Sequence, residues 1–320
     1  MLMFLLLACT KPPSITNPMR ISAEDGLTAE LQSNGDIEDR LIESDNANLV
    51  VFYTGEQRAD LAPCGCTDSP RGGLPRTAAY IDAAGDGLII NGSGWLDEGQ
   101  SLDGSPMADA KLKNEWMIRG LQHLGTDIVH IGFGDLIGLS RMNEPPDLPM
   151  VSANLRGPGI QREAIIQHNG LTVGISGIAD PGHISIVTPG FERLDPYESA
   201  LPILEQLSST VDIVILLNNG ATAATKKLIR HGFVDVVIET AHQRAFEAPF
   251  RQGQSIWVRS HDQGLRLGEL RLERHSDTQW NALDRKIDLN GLITSQPAMR
   301  AIAEEAEKEL KALERKLFSP

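Results

Sequence analysis

The residues best suited to chemistry lie between positions 48 and 79, in the stretch NLVVFYTGEQRADLAPCGCTDSPRGGLPRTAA. Cys64 and Cys66, one glycine apart, are the candidate catalytic pair. A disulfide between residues two apart closes a small ring and is strained. Strained, exposed disulfides are oxidising and labile. Gly65 eases the backbone contortion. Arg58 and Arg71 lie close enough in the chain to lower a thiol pKa. The same two thiolates also suit one soft transition metal, zinc or copper. A third use is structural, a disulfide that pins an exposed loop. The residues leave these three uses open.

A pair of thiols needs elements to hold it. Residues 49–53 read as a buried strand. Residues 73–84 read as a helix with Leu74, Ala78 and Ile81 on one face, so the cysteine loop joins strand to helix. Residues 88–90 and 127–131 are further strands. Between them, 108–124 is an amphipathic helix carrying Leu112, Trp116, Met117, Leu121 and Leu124, stopped by Gly125. Residues 150–153 are short and extended. Runs 163–167 and 171–176 flank His168-Asn169-Gly170, a hairpin signal. Asp195-Pro196-Tyr197-Glu198 starts a helix with its cap, first-turn proline and acidic third residue. Strands at 212–217 and 234–238 enclose a helix at 222–230. Strand-type runs follow at 255–259, 265–274 and 280–289. The last predicted helix, 296–317, has one apolar stripe through Met299, Ile302, Ala306, Leu310, Leu313 and Leu317, to pack on the domain or on a partner subunit. Alternation of strand and helix, then gathered antiparallel strands, predicts a layered α/β sandwich. The predicted domain spans 48–290, with a C-terminal helix at 294–317.

The chain has 320 residues, 41% hydrophobic and 22% charged, enough for a sizeable core. Its net charge of −14 and the absence of any Lys/Arg-rich run argue against nucleic acid as a partner. Met1 to Ala8 is apolar but far short of the roughly 20 residues that span a bilayer. Leu6-Leu7-Ala8-Cys9 resembles a bacterial lipobox, which implies a signal peptide at 1–8 and a lipid on Cys9. The positive charge that opens a signal peptide is missing from this stretch, and a start further upstream would supply it. Thr10 after the cysteine, by resemblance to lipoprotein sorting, points to the outer membrane facing the periplasm. Residues 9–47 are then the lipidated cysteine and an acidic, proline-punctuated tether. With Cys9 lipidated, Cys64 and Cys66 remain as the two thiols of an exported, oxidising compartment. The expected partners are the membrane, through the lipid, and a periplasmic redox partner or a small-molecule substrate.

Several short motifs, in order, resemble the N-terminal domain of the 5′-nucleotidase/UDP-sugar hydrolase branch of the calcineurin-like metallophosphoesterases. They are Val51-Phe52-Tyr53-Thr54, Gly72-Gly73-Leu74-Pro75-Arg76, Leu124-Gly125-Thr126-Asp127, Ser152-Ala153-Asn154-Leu155, Val211-Asp212-Ile213-Val214, Val234-Asp235-Val236-Val237 and Gly264-Leu265-Arg266-Leu267-Gly268-Glu269-Leu270. The resemblance runs roughly from 48 to 273. It implies a four-layer αββα sandwich with two metals at strand ends. Pro63-Cys64-Gly65-Cys66 ahead of the Gly-Gly-Leu motif resembles the UshA-like (seleno)protein subgroup, some members of which carry selenocysteine.

The positions where that family holds its metals read differently here. Glu56-Gln57-Arg58 stands where Asp-x-His is expected, and only Glu56 could ligate. Ser93-Gly94-Trp95 lacks the bridging Asp, and Gly132-Phe133-Gly134-Asp135 lacks the Asn and the catalytic His. Asn218-Asn219 and Thr240-Ala241-His242-Gln243 stand at the late histidine positions, with His242 one residue out of place. A dinuclear centre is therefore not expected. The cofactor is none, or a single zinc or copper held by Cys64 and Cys66 with Asp135 and His242. Glu56, Arg58, Arg71, Arg76 and Asn154 are the supporting set: Arg76 to fix the site loop or to bind phosphate, Asn154 to hold its turn. Trp95 is expected to cover the old metal cavity, and His130 to be a core or strand-end residue. His123 and His231 are read as partners of helix ends, and His183, His261 and His275 as surface. Three functions follow: thiol redox or metal handling, a phosphoester hydrolase with a remodelled metal site, and a non-catalytic binding module.

Overall fold

The computed structural model describes residues 47–63, 70–99, 108–182, 188–241, 248–276 and 279–318. In chain order they form β1 (Leu49–Thr54), α1 (Leu74–Ala84), β2 (Leu88–Asn91), α2 (Ala110–Leu124), β3 (Ile128–His130), α3 (Phe133–Leu139), β4 (Met150–Val151), β5 (Leu155–Arg156) and β6 (Ile160–Gln161). There follow β7 (Glu163–His168), β8 (Leu171–Ala179), β9 (Glu192–Arg193), α4 (Pro196–Ser208), β10 (Ile213–Asn219), α5 (Thr222–Leu228) and β11 (Val236–Glu239). The chain continues through β12 (Phe250–Gln252), β13 (Ser255–Arg259), β14 (Arg266–Ser276), β15 (Gln279–Asp288) and α6 (Pro297–Phe318).

The central strands β1, β8, β10 and β11 are largely apolar on both faces, which commits both faces to burial. In β1, Leu49, Val51 and Tyr53 point into one cluster and Phe52 into another. In β10, Ile213, Ile215 and Leu217 join that first cluster, and Val214 and Leu216 a third. The shared cluster is the seam between two sheets. One has the order β15-β14-β1-β2-β3-β4-β6, the other β12-β13-β11-β10-β8-β7. Their central pairs, β1–β2, β2–β3, β8–β10 and β10–β11, are parallel. The hairpin partners β14–β15 and β7–β8 are antiparallel.

Helices cover the outer faces. Leu74 and Ala78 of α1, Trp116, Met117 and Leu121 of α2, and Met299, Ala303 and Ala306 of α6 share one core outside the first sheet. Ala200, Leu204 and Leu207 of α4 and Leu228 of α5 pack outside the second. The result is the four-layer αββα sandwich. The N-terminal half of the α6 stripe packs on the chain itself: Met299 is fully buried and Trp116 donates its indole N–H to Glu309 at 2.9 Å, whereas Leu317 at the far end is exposed.

Some elements differ from the sequence reading. The α3 helix replaces what reads as loop after 131. It is seven residues long with Gly134 and Gly138 inside, too short to show a period, and forms because Leu136, Ile137 and Leu139 are buried. β8 and β10 run on to Ala179 and Asn219. Strands β5, β6, β9 and β12 have only two or three residues each, below what alternation reveals.

Candidate functional site

Parallel strands from both sheets end on one side of the sandwich, at Thr54, Asn91, His130, Asn219 and Glu239. The polar residues at and just past these ends meet each other. Thr54 Oγ1 donates to Asn91 Oδ1 at 2.7 Å. Ser93 Oγ lies 2.8 Å from Thr240 Oγ1, and His130 Nδ1 lies 3.1 Å from the same hydroxyl. Asn219 Nδ2 donates to Ser93 Oγ at 2.5 Å. Asn218 Nδ2 donates to Glu239 Oε2 at 2.5 Å, and Glu239 Oε1 accepts from Ala241 N–H at 3.2 Å. Ser93, His130, Asn218 and Thr240 are sealed from water. Burial pushes the Glu239 carboxyl up to about 7, with its hydrogen bonds pulling the other way and the nearby Glu56 charge adding to the rise. Burial draws His130 down to about 3, so its ring is neutral.

A cleft of about 500 Å³ opens beside these ends, lined by Glu56, Arg58, Asp97, Glu98, Phe133 and Asn219, among others. Its near wall is the loop after β1, laid along residues 93–95. Glu56 N–H bonds Ser93 C=O at 2.8 Å, Arg58 N–H bonds Gly94 C=O at 2.9 Å, and Ala59 N–H bonds Trp95 C=O at 2.8 Å. Glu56, Arg58 and Ala59 have φ of 51°, 51° and 60°, left-handed values that L side chains resist. Such strain persists only where surroundings impose it, and it gathers at functional sites. Arg58 is exposed and lies 3.6 Å from Glu56.

Asp135 is not aimed at the cleft as a ligand. Its Oδ2 accepts from Gly94 N–H at 2.8 Å and Gly132 N–H at 2.9 Å. Its Oδ1 accepts from Trp95 N–H at 3.0 Å and Leu96 N–H at 3.1 Å. Four backbone donors fill the acceptor sites of a carboxylate, so as placed Asp135 binds residues 94–96 to the start of α3. Burial lifts its carboxyl to about 7 against the pull of those donors. Trp95 does not cover the cleft either. Its ring is buried in the core shared by Leu61, Met117 and Leu136, because residues 93–96 turn it outward into the helical layer.

Cys64, Cys66, His242, His183 and Cys9 lie outside the described residues. The stems of the cysteine loop are described. Leu74 N–H bonds Leu61 C=O at 2.9 Å and Gly72 N–H bonds Leu289 C=O at 2.7 Å. A Cβ on Gly73 would sit 2.8 Å from Pro63 N. The loop thus leaves and returns at one point. Arg76, buried, donates to Pro70 C=O at 2.7 Å and Leu289 C=O at 3.2 Å, which places it on the returning stem. Arg71 is exposed nearby. Asn154 bridges β8 and the segment before α4, donating to Ala179 and Leu194 carbonyls and accepting from Ala179 N–H. His231 lies 3.1 Å from the Tyr197 hydroxyl and stacks on Phe233. His261 is half-buried and accepts from Arg266 at 2.9 Å, whereas His123 and His275 are exposed.

Among the described residues, no three His, Cys, Asp or Glu side chains come together as a metal site. Among the described residues the strand ends offer hydroxyls, amides, a neutral imidazole and two carboxyls, Asp135 and Glu239, already held by N–H donors, a set that does not fit a two-metal centre. Sequence reasoning passed over Glu239, Asp97 and Glu98. Only Glu239 left a signal, a carboxylate closing the buried apolar run Val-Val-Ile-Glu.

No protein-family model matches the chain, and no curated protein does. Solved structures do. The 5′-nucleotidase precursor of Thermus thermophilus superposes with a TM-score of 0.66 at 16% identity, over 83% of this chain and 60% of that one. The sulfate thiohydrolase SoxB of Thermus thermophilus gives 0.67 at 14%, over 83% and 61%. The 5′-nucleotidase of Candida albicans gives 0.59 at 13%, over 83% and 58%. The chain thus spans about 60% of the first two chains it matches. At these identities the likeness is one of fold, the metallophosphoesterase-like fold of 5′-nucleotidases and SoxB.

Proposed function

We propose that this chain is an exported protein, lipid-anchored through Cys9 at the outer membrane. It keeps the scaffold of the 5′-nucleotidase-like metallophosphoesterases with degenerate metal ligands, and its chemistry is carried by Cys64 and Cys66. The observation that supports this reading is the strand-end cluster, where side chains hydrogen-bond to one another in place of a ligand set. The pinned stems add to it, since they hold the two ends of the cysteine loop together at its base.

The reaction is dithiol–disulfide exchange. A partner thiolate attacks one sulfur of the Cys64–Cys66 disulfide and releases the other as a thiolate. The partner's second thiolate then attacks the partner sulfur of the mixed disulfide and releases the remaining cysteine. Two electrons pass from the partner, which leaves as a disulfide, and Cys64 and Cys66 end as a dithiol. The test is a free-thiol count on the purified protein before and after mild reductant, with bound zinc and copper assayed alongside. Thiols that appear together support exchange. One equivalent of zinc or copper lost in Cys64→Ser and Cys66→Ser replaces exchange with metal handling. A bond that resists reductant sinks both.

A second reading has one observation in its favour. Glu56, Asp97 and Glu98 line the cleft beside the strand ends; they are not grouped as a metal site, so a remodelled metal-dependent phosphoester hydrolase would add ligands from outside the described residues. Phosphoesterase turnover with two equivalents of bound manganese or iron would establish it and displace the thiol reading.

A further inference from the structure

We propose that the strand ends are closed by a directed, metal-free hydrogen-bond circuit with the Thr240 hydroxyl as its hub, which clasps the two sheets together and fixes His130 as the neutral Nδ1–H tautomer.

The direction of each bond follows from the donor count. Thr240 has one hydroxyl hydrogen. It lies 3.0 Å from Asn218 C=O, which can only accept, so the hydrogen goes there. Thr240 Oγ1 must then accept from its other two neighbours. Ser93, at 2.8 Å, is therefore a donor to Thr240, and His130 Nδ1, at 3.1 Å, carries a hydrogen. Ser93 in turn accepts from Asn219 Nδ2. The chain runs one way: Asn219 to Ser93 to Thr240 to the Asn218 carbonyl, with His130 joining at the hub. Thr240 Oγ1 is saturated, with one donation and two acceptances. His130 Nε2 is left with a lone pair and no hydrogen-bond partner among the described residues, lying against Gly177 of β8.

The circuit crosses between sheets. Ser93 and His130 follow or end β2 and β3 of the first sheet, and Asn219 and Thr240 end or follow β10 and β11 of the second. Elsewhere the seam holds a large apolar cluster, with polar ties between the sheets at Arg274–Asp212 and Arg251–Trp280 C=O. These bonds therefore lie where a two-metal centre would otherwise tie the sheets, and they do so without ionised groups. Packing closes around them: a Cβ on Gly92 would come within 2.9 Å of the Thr240 side chain, and one on Gly177 within 2.4 Å of His130.

The proposal is independent of what the cysteines do, and its test is run so as to stay independent. Nitrogen-15 NMR of the wild type should show Nδ1 of His130 protonated and Nε2 bare. That pattern should hold from about pH 5 to about pH 8, the range over which an ordinary imidazole titrates. A protonated Nε2 overturns the circuit. Thr240→Val removes the hub with little change of shape and should lower Tm by about 2–6 °C, while Thr240→Ser keeps the hydroxyl and the tautomer signature. If Thr240→Val does not fold, the wild-type tautomer and Thr240→Ser still decide. Metal dependence is read in the Cys64→Ser/Cys66→Ser background, where loop thiols contribute nothing. There, Tm should be the same with chelator as with millimolar Mn²⁺ or Zn²⁺. A rise in Tm on adding either metal overturns the proposal.

Discussion

Two carboxyls sealed at the strand ends are held in different ways. Asp135 accepts four backbone N–H groups. Asp135→Asn turns half of those acceptor sites into donors facing donors, at an expected cost of about 2–4 kcal/mol. Urea unfolding in mildly alkaline buffer, where the carboxyl is ionised, measures it. Glu239 rises to about 7 chiefly through burial. An unfolded glutamate titrates near about 4.3, so between the two values the native state holds the extra proton. The stability this group contributes is complete below the unfolded value and is lost as pH rises through the folded one. Glu239→Gln should therefore flatten the fall in stability between acid and mildly alkaline pH by about 4 kcal/mol. Equal slopes in wild type and variant would show that Glu239 does not hold that proton. At this scale the sequence was partly legible. Glu56-Gln57-Arg58 and Ser93-Gly94-Trp95 could be read where the resemblance implies Asp-x-His and a bridging Asp, but the role of Asp135 could not. Nothing in Gly-Phe-Gly-Asp tells that its carboxylate turns back onto four amides, since that depends on residues 94–96 lying beside α3.

Among the elements, those with a long apolar stripe were readable and those shaped by neighbours were not. α2 and α6 declare themselves through helical spacing, and α6 meets α1 and α2 through that same stripe. Met299→Ala, at the centre of the contact, should cost about 2–4 kcal/mol, visible as a lower urea midpoint with unchanged slope. The α3 helix and the two-residue strands owe their existence to tertiary packing, which overrides weak local propensity. The cysteine loop is held by an element far away in sequence, the end of β15, through Leu289 and Arg76. Arg76→Met removes the guanidinium donor from Pro70 C=O, while Leu289 C=O keeps its bond from Gly72 N–H. It should destabilise by about 2 kcal/mol and speed alkylation of Cys64 and Cys66 in the reduced protein. An alkylation rate equal to that of wild type would mean the stems do not govern access to the thiols.

At the scale of the whole molecule, the fold does not by itself fix the chemistry, since one fold serves many sites. The sandwich is that of 5′-nucleotidases and SoxB, and the chain spans about 60% of the matched Thermus chains. Its layers were legible because buried parallel strands and amphipathic helices carry their periods openly. Its strand-end cluster was not, because the hydroxyls and amides that form it are ordinary residues until two sheets bring them together. Whether Cys64 and Cys66 act as a couple is decided most directly by counting free thiols in the full-length protein after equilibration across a series of glutathione redox buffers, with Cys64→Ser/Cys66→Ser as the blank. The predicted result is two thiols appearing together as a single exchangeable two-electron couple. A thiol count that stays constant across the series would contradict the thiol chemistry proposed for this protein.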